Sequence, residues 1–166
     1  MNAPRFGDMR EQRFDTATLA ALARQQSAVP LRRAGALTEL AIVGVAACLA
    51  GKPDCSTIVL WGSRAGARAA GIRVVRDVVI AREAPFPFDF LATQPILAAI
   101  PLQQSFPCIA SVLYQPWTGD VELLWQRMRT LAAMFLRAGR HARALCGQVE
   151  PGRDEHVGRW QVLEFV

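Results

Sequence analysis

The sequence predicts an α/β domain built on a mixed, mostly parallel sheet of about four to five strands, with helices covering both faces. Three observations carry this. Two unbroken β-branched and apolar runs, residues 56–61 (STIVLW) and 108–114 (CIASVLY), have the pattern of strands covered on both sides. Helical periodicity alternates with them along the chain. The segment 36–51 (ALTELAIVGVAACLAG) is apolar around nearly its whole circumference, so it must be buried on several sides.

The elements follow in order. Residues 1–15 mix charge with Gly and Pro without periodicity and are expected to form an arm; residues 16–166 are expected to form one domain. Asp15 or Thr16 can cap a helix over 17–25, with Leu19 and Leu22 on one face. Residues 27–33 break the chain. The buried helix follows and is stopped by Gly51 and Lys52-Pro53. The strand 56–61 ends at Gly62-Ser63, expected to be a turn. Residues 64–83 fit helix or strand, with helix favoured. Residues 84–90 (APFPFDF) form a proline-punctuated loop, and 91–104 turn helical after Pro95. Beyond the strand 108–114, Thr118 or Asp120 opens the longest helix, to about Ala138. Leu124, Met128, Leu131 and Phe135 form its stripe and Gly139 ends it. Residues 142–150 are a third strand, 151–158 a turn-rich connector, and 159–166 a last strand, antiparallel to the third.

At 52% apolar and 20% charged, the 166 residues suit one globular domain with a substantial core. The mean hydropathy of +0.18 points to apolar surface left for a subunit interface. The net charge is +5, nearly all of it from arginine, since Lys52 is the single lysine. Such a surface suits an acidic partner through bidentate guanidinium contacts, or reflects base composition alone. Nucleic acid is disfavoured, because no basic run is interleaved with aromatics. Cys48, Cys55, Cys108 and Cys146 form no C-x-x-C pair. With no signal-peptide pattern, a reduced, cytoplasmic protein is expected. The segment 36–51 contains Glu39 and is too short to span a bilayer.

Few residues suggest chemistry. His141 and His156 lack ligand partners at metal spacing and read as structural, so no metal or cofactor is expected. In GSRAG, residues 62–66, Gly62 directly precedes Ser63, which is the wrong spacing for a nucleophile elbow. Phosphate-loop signatures are absent. Cys108 sits beside Pro107 at the mouth of a strand, without an evident activating base.

From about Leu31 onward the order of these motifs resembles the N-terminal half of β-ketoacyl synthases, which have the thiolase fold. PLRRAGALTELAIVGVAACLAG resembles the family's arginine-pair segment and following helix. TIVLWGSRAG resembles its strand and Ser-x-x-Gly turn, and APFPFDFLATQP the segment leading to a dimer-contacting helix. FPCIASVLYQ resembles the strand that delivers the nucleophile, and LRAGRHARALCGQVE the helix end and strand after it. Counting from Pro107 along the family's Gly-Pro-Cys pattern, the nucleophilic cysteine's position falls on Gln115, or on Tyr114 with a one-residue slip. Chain-length factors, the non-condensing partners of some ketosynthases, also carry glutamine there.

The resemblance therefore implies a thiolase-like half-fold and no catalytic residue. An amide or phenol cannot form the acyl thioester that condensation needs. It implies a chain-length-factor-like subunit of a polyketide, aryl-polyene or fatty-acid-like pathway. Its expected partners are a ketosynthase subunit or an acyl carrier protein, in a homo- or hetero-oligomer. Arg137, Arg140 and Arg143 are the candidate docking residues, and Gln115, Tyr114, Cys108 and Ser63 the candidate pocket residues. The alternative is a small thioesterase- or acyltransferase-type enzyme on the same half-fold using Cys108 or Ser63. The sequence departs from the family in three ways. The active-site histidines of the C-terminal half have no counterpart, the first family strand has none in 1–15, and PWTGD stands where small residues are usual.

Overall fold

The computed structural model describes residues 4–31, 34–50, 55–85, 87–117 and 119–165. Its elements are β1 (Pro4–Phe6), β2 (Arg10–Phe14), α1 (Thr16–Gln26), α2 (Gly35–Leu49), β3 (Thr57–Ser63) and α3 (Arg68–Val75), which continues as a π-helical segment (Arg76–Ala81). They continue with α4 (Pro87–Leu91), a 3-10 turn (Pro95–Ala98), α5 (Ala99–Ser105), β4 (Ile109–Pro116), α6 (Val121–Arg137), β5 (Arg143–Pro151) and β6 (His156–Phe165). The Gly51 stop with Lys52-Pro53, the Arg32-Arg33 pair, Phe86 and the Thr118 alternative cap lie outside the described residues.

The sheet runs β1-β6-β5-β3-β4, with β2 also paired to β6. Helices cover both faces, as expected. On one face α1, α2 and α5 pack on Val59, Trp61, Leu145, Val149 and Trp160. On the other, Leu124, Trp125, Met128, Ala132 and Leu136 of α6 pack on Ile58, Leu60, Ala144, Cys146 and Leu163. The α6 stripe is thus centred on Leu124 and Met128, with Leu131 and Phe135 at its margin. None of the helices of the described residues is long and apolar enough to cross a membrane.

The sheet is mixed, but the expected count and direction need correction. Among the described residues it has six strands, and only the β3–β4 and β3–β5 pairings are parallel; the three pairings of β6 are antiparallel. The surplus comes from the expected arm. Residues 4–6 and 10–14 lie beside the two ends of β6, with Pro4 opposite Phe165 and Arg10 opposite Trp160. Charge hides β2 from pattern reading: it lies largely exposed, so its strand state is set by pairing and by ion pairs. Glu11 bridges Arg13 and Arg159 at 2.7 Å each, and Arg13 reaches Glu155 at 2.8 Å.

Three boundaries differ from expectation. Gly62 and Ser63 continue β3 instead of turning. A Cβ at Gly62 would stand 2.7 Å from the Gln115 carbonyl oxygen and 3.0 Å from Leu124 Cδ1, so this glycine serves a close approach. The last strand begins at His156, three residues early. The loop expected over 84–90 gives way at Pro87 to α4.

The helix ends obey local chemistry. The Asp15 carboxylate accepts from Thr18 N at 2.9 Å, and the Asp120 carboxylate from Glu122 N at 3.0 Å. Gly139, with φ +67°, takes the left-handed turn after α6.

One slot locks the first layer. The Trp160 indole is wholly buried against Gly44 of α2 and Gly147 of β5. A Cβ at Gly44 would stand 1.8 Å from Trp160 Nε1, and one at Gly147 would stand 2.3 Å from its Cζ3. Both glycines are therefore packing residues.

Candidate functional site

The parallel strands β3, β4 and β5 end together, and ligands of open α/β sheets sit beyond such carboxyl ends. Here the register sets Trp61 beside Tyr114, Gly62 beside Gln115 and Ser63 beside Pro116. Three of the four expected pocket residues are thus neighbours, but strand alternation divides them between the two faces. Ser63 and Tyr114 belong to the α2 side, where the Tyr114 ring meets Trp61 edge-on at 5.0 Å. Gln115 belongs to the α6 side.

Ser63 is a turn-holding residue. Its Oγ accepts from Gly66 N at 2.9 Å, its carbonyl accepts from Tyr114 OH at 3.3 Å, and it is buried. Glu150, at the end of β5, clamps the same loop: its carboxylate accepts from Arg64 N at 3.0 Å and Ala65 N at 3.3 Å. Behind it, Trp125 Nε1 donates to Gln148 Oε1 at 3.2 Å. Burial first, and then the Glu150 charge, push the Tyr114 pKa up, so it stays a phenol. Neither histidine stands beside Ser63: His156 Nε2 pairs with Thr16 Oγ1 at 3.0 Å, and His141 Nδ1 with Ser56 Oγ at 3.3 Å. Among the described residues, no histidine is hydrogen-bonded to this serine as the base of an acyl-transfer nucleophile would be.

Gln115 opens onto a groove of about 460 Å³ shared with Leu123, Gln126, Arg127, Thr130 and Leu131 of α6. It lies within β4, six residues before α6 begins. Its amide can donate and accept hydrogen bonds but cannot carry an acyl group.

Cys108 departs from the expected grouping. It precedes the opposite end of β4, about 20 Å from Gln115 at the rise of a strand, and packs against the α2-side core. Burial lifts the Cys48 thiol to about 11 and the Cys146 thiol to about 12, so both are inert. Among the described residues no group of three or more His, Cys, Asp or Glu could hold a metal.

Of the docking arginines, Arg137 and Arg140 are exposed at the end of α6. Arg143 is not a docking residue: its side chain is 2% exposed and pairs with Glu164 across β5–β6 at 2.6 Å. As the first residue of β5, it faces the interior, away from the α6 terminus.

Two surface features escaped the sequence reading. Among the described residues β4 is an edge strand, hydrogen-bonded to β3 on one side only. Ile72, Val75, Val78, Val79 and Ile80 are all exposed, Ile80 to 75%, and Phe90, Leu91, Ile96 and Ile100 follow them at the surface. The α3 segment's ambiguous periodicity gave no signal for this, because an apolar face that meets solvent looks the same in sequence as one that meets a core.

No family model and no curated protein matches the chain. Among solved structures it is similar to a ketosynthase (ApeO) in complex with its chain length factor (ApeC) from Xenorhabdus doucetiae. The TM-score is 0.65 at 12% identity, covering 100% of this chain and 80% of that one. It is also similar to the ishigamide ketosynthase/chain length factor, with a TM-score of 0.53 at 14% identity over 68% of this chain. The chain spans 37% of that second protein's length. These likenesses show the fold alone: the chain shares the α/β fold of these ketosynthase and chain length factor structures, the fold that the sequence resemblance implied.

Proposed function

We propose that the chain is a non-catalytic, chain-length-factor-like subunit that pairs with a ketosynthase in a polyketide, aryl-polyene or fatty-acid-like pathway. The observation that carries this reading is β4 itself. Near its end it carries a phenol and an amide where condensation would need a thiolate, and its outer edge is unpaired among the described residues. An open strand edge and a run of exposed aliphatics are each costly in water and suit a permanent subunit contact. Both solved structures contain ketosynthase and chain length factor together, which supports the same pairing here.

The subunit's task would be to complete and shape a partner's pocket, with Gln115 presenting a hydrogen-bonding amide. Arg137 and Arg140 give the end of α6 a positive character suited to an acidic, phosphopantetheine-bearing carrier protein. The test is co-expression with a ketosynthase of such a pathway, followed by light scattering and intact-protein mass spectrometry after exposure to acyl-carrier substrates. A heteromer with no acyl adduct on this chain is expected. A clean monomer that recovers no ketosynthase, or a covalent acyl adduct lost on Cys108→Ala, overturns the proposal.

A further inference from the structure

A cavity of about 280 Å³ lies on the α2 side of the sheet, between the residues joining α1 to α2, the first turn of α2 and the stretch from the end of α4 through α5. Gln115 belongs to the other side, and its groove shares no residue with this cavity. We propose that the cavity binds a small neutral aliphatic molecule carrying one hydroxyl or carbonyl group.

The walls select the apolar part. Val29, Leu31, Leu37, Leu91, Leu97 and Ile100 line the space, and Leu91 and Ile100 also stand exposed at the surface. The described residues of the lining include no charged side chain. An ionised ligand would shed its water there without meeting an opposite charge, so a free carboxylate is a poor occupant. Pro30, Pro95 and Pro101 fix φ in three of the segments that frame the cavity. A site shaped before its ligand arrives loses less entropy on binding.

Thr38 selects the polar part. It is 9% exposed and lines the cavity, and its hydroxyl makes no hydrogen bond among the described residues. A helical threonine commonly returns that bond to the carbonyl one turn back, as Thr130 does to Gln126 at 2.9 Å; Thr38 does not. Nor is its Oγ1 sealed in the core, as the indole nitrogens of Trp61 and Trp160 are. The hydroxyl keeps open surface, and the space it borders is this cavity. It can donate or accept, so an alcohol or a carbonyl oxygen satisfies it. Water fits less well. An ordered water needs about two to four polar partners, and the other polar side chains of the lining, Gln94 and Gln104, are exposed.

Calorimetric titration of the full chain with 1-octanol, and separately with octanoate at neutral pH, tests the site. The parent is compared with Thr38→Val, with Leu97→Trp, which puts a larger side chain on the half-buried wall, and with Thr130→Val, a matching change outside the cavity. Saturable binding of 1-octanol is expected, with octanoate at least about tenfold weaker. Thr38→Val should weaken 1-octanol about fivefold, as loss of one neutral hydrogen bond does. It should melt no lower than the parent, because its hydroxyl has no protein partner to lose. Folded Leu97→Trp should lose saturable binding, and Thr130→Val should leave it unchanged. The proposal is overturned if 1-octanol does not saturate or if octanoate binds as tightly. It is equally overturned if Thr38→Val binds 1-octanol like the parent or melts lower, if folded Leu97→Trp binds like the parent, or if Thr130→Val weakens binding as much as Thr38→Val.

Discussion

Gly44→Ala tests the Trp160 slot, because two known effects oppose each other there. In an exposed helix the change would stabilise by about 0.8–1 kcal/mol through backbone entropy. Here the added Cβ would stand 1.8 Å from Trp160 Nε1 and 2.3 Å from Cε2. Non-bonded carbons prefer about 3.5–4.0 Å, so the indole must move. It has nowhere to go, since it is fully buried and Gly147 abuts its opposite edge. Overpacking of this kind costs about 1–3 kcal/mol, and a rigid ring held on both sides belongs at or above the upper end. The net loss should be about 2 kcal/mol, or a fall in Tm of about 4–8 °C for a chain of this size. Urea unfolding with an unchanged m-value measures it. In a Trp160→Leu background the same glycine substitution should become neutral or stabilising, because only the helix propensity remains. A Gly44→Ala protein as stable as its parent would refute the reasoning.

Other perturbations follow from the buried polar groups. Arg143→Ala removes one partner of a nearly buried ion pair and should cost about 3 kcal/mol in urea unfolding. Cys48 and Cys146 should resist a thiol-specific reagent at pH 8 in the native protein and react once it unfolds. Their thiols ionise near 9.0 when unfolded and only at about 11 and about 12 when folded, so the unfolded chain loses protons first as pH rises. Stability from this source is complete below pH 9 and declines above it, and Cys146→Ala should flatten that decline.

Much of the architecture was legible because burial leaves a pattern. STIVLW sits fully buried between two helical layers, and the all-round apolarity of 36–51 required cover on several sides. CIASVLY is a strand as expected but is not covered on both sides, since at the sheet edge only Ile109 is buried and the rest of β4 is half-buried or exposed. The Asp15 and Asp120 caps were readable because capping is local. What the sequence hid depends on distant partners. β2 is a strand because β6 lies beside it, and its Arg-Glu-Gln-Arg composition reads as solvent-loving. Gly62 resembled a turn glycine, yet the requirement on it comes from Leu124 and the Gln115 backbone, more than fifty residues away. Arg143 resembled its exposed neighbours Arg137 and Arg140, and only the β5–β6 register reveals that Glu164 stands opposite. Within the candidate site the residue types of β4 were readable. Their division between faces needed the strand to run past Tyr114.

The pairing of β1 and β2 with β6 bears on how the chain folds as it is made. Residues 10–14 wait for residues 156–165 before their hydrogen bonds exist. At about 5–20 residues per second, that is about 7–28 s of synthesis during which one strand pair has no template. Closing so long a loop costs entropy that only the last strand repays, so this pairing belongs late on the folding route. An unpaired strand exposed for that interval invites pairing with other chains, and the charges of Arg10, Glu11 and Arg13 suit it to waiting in water.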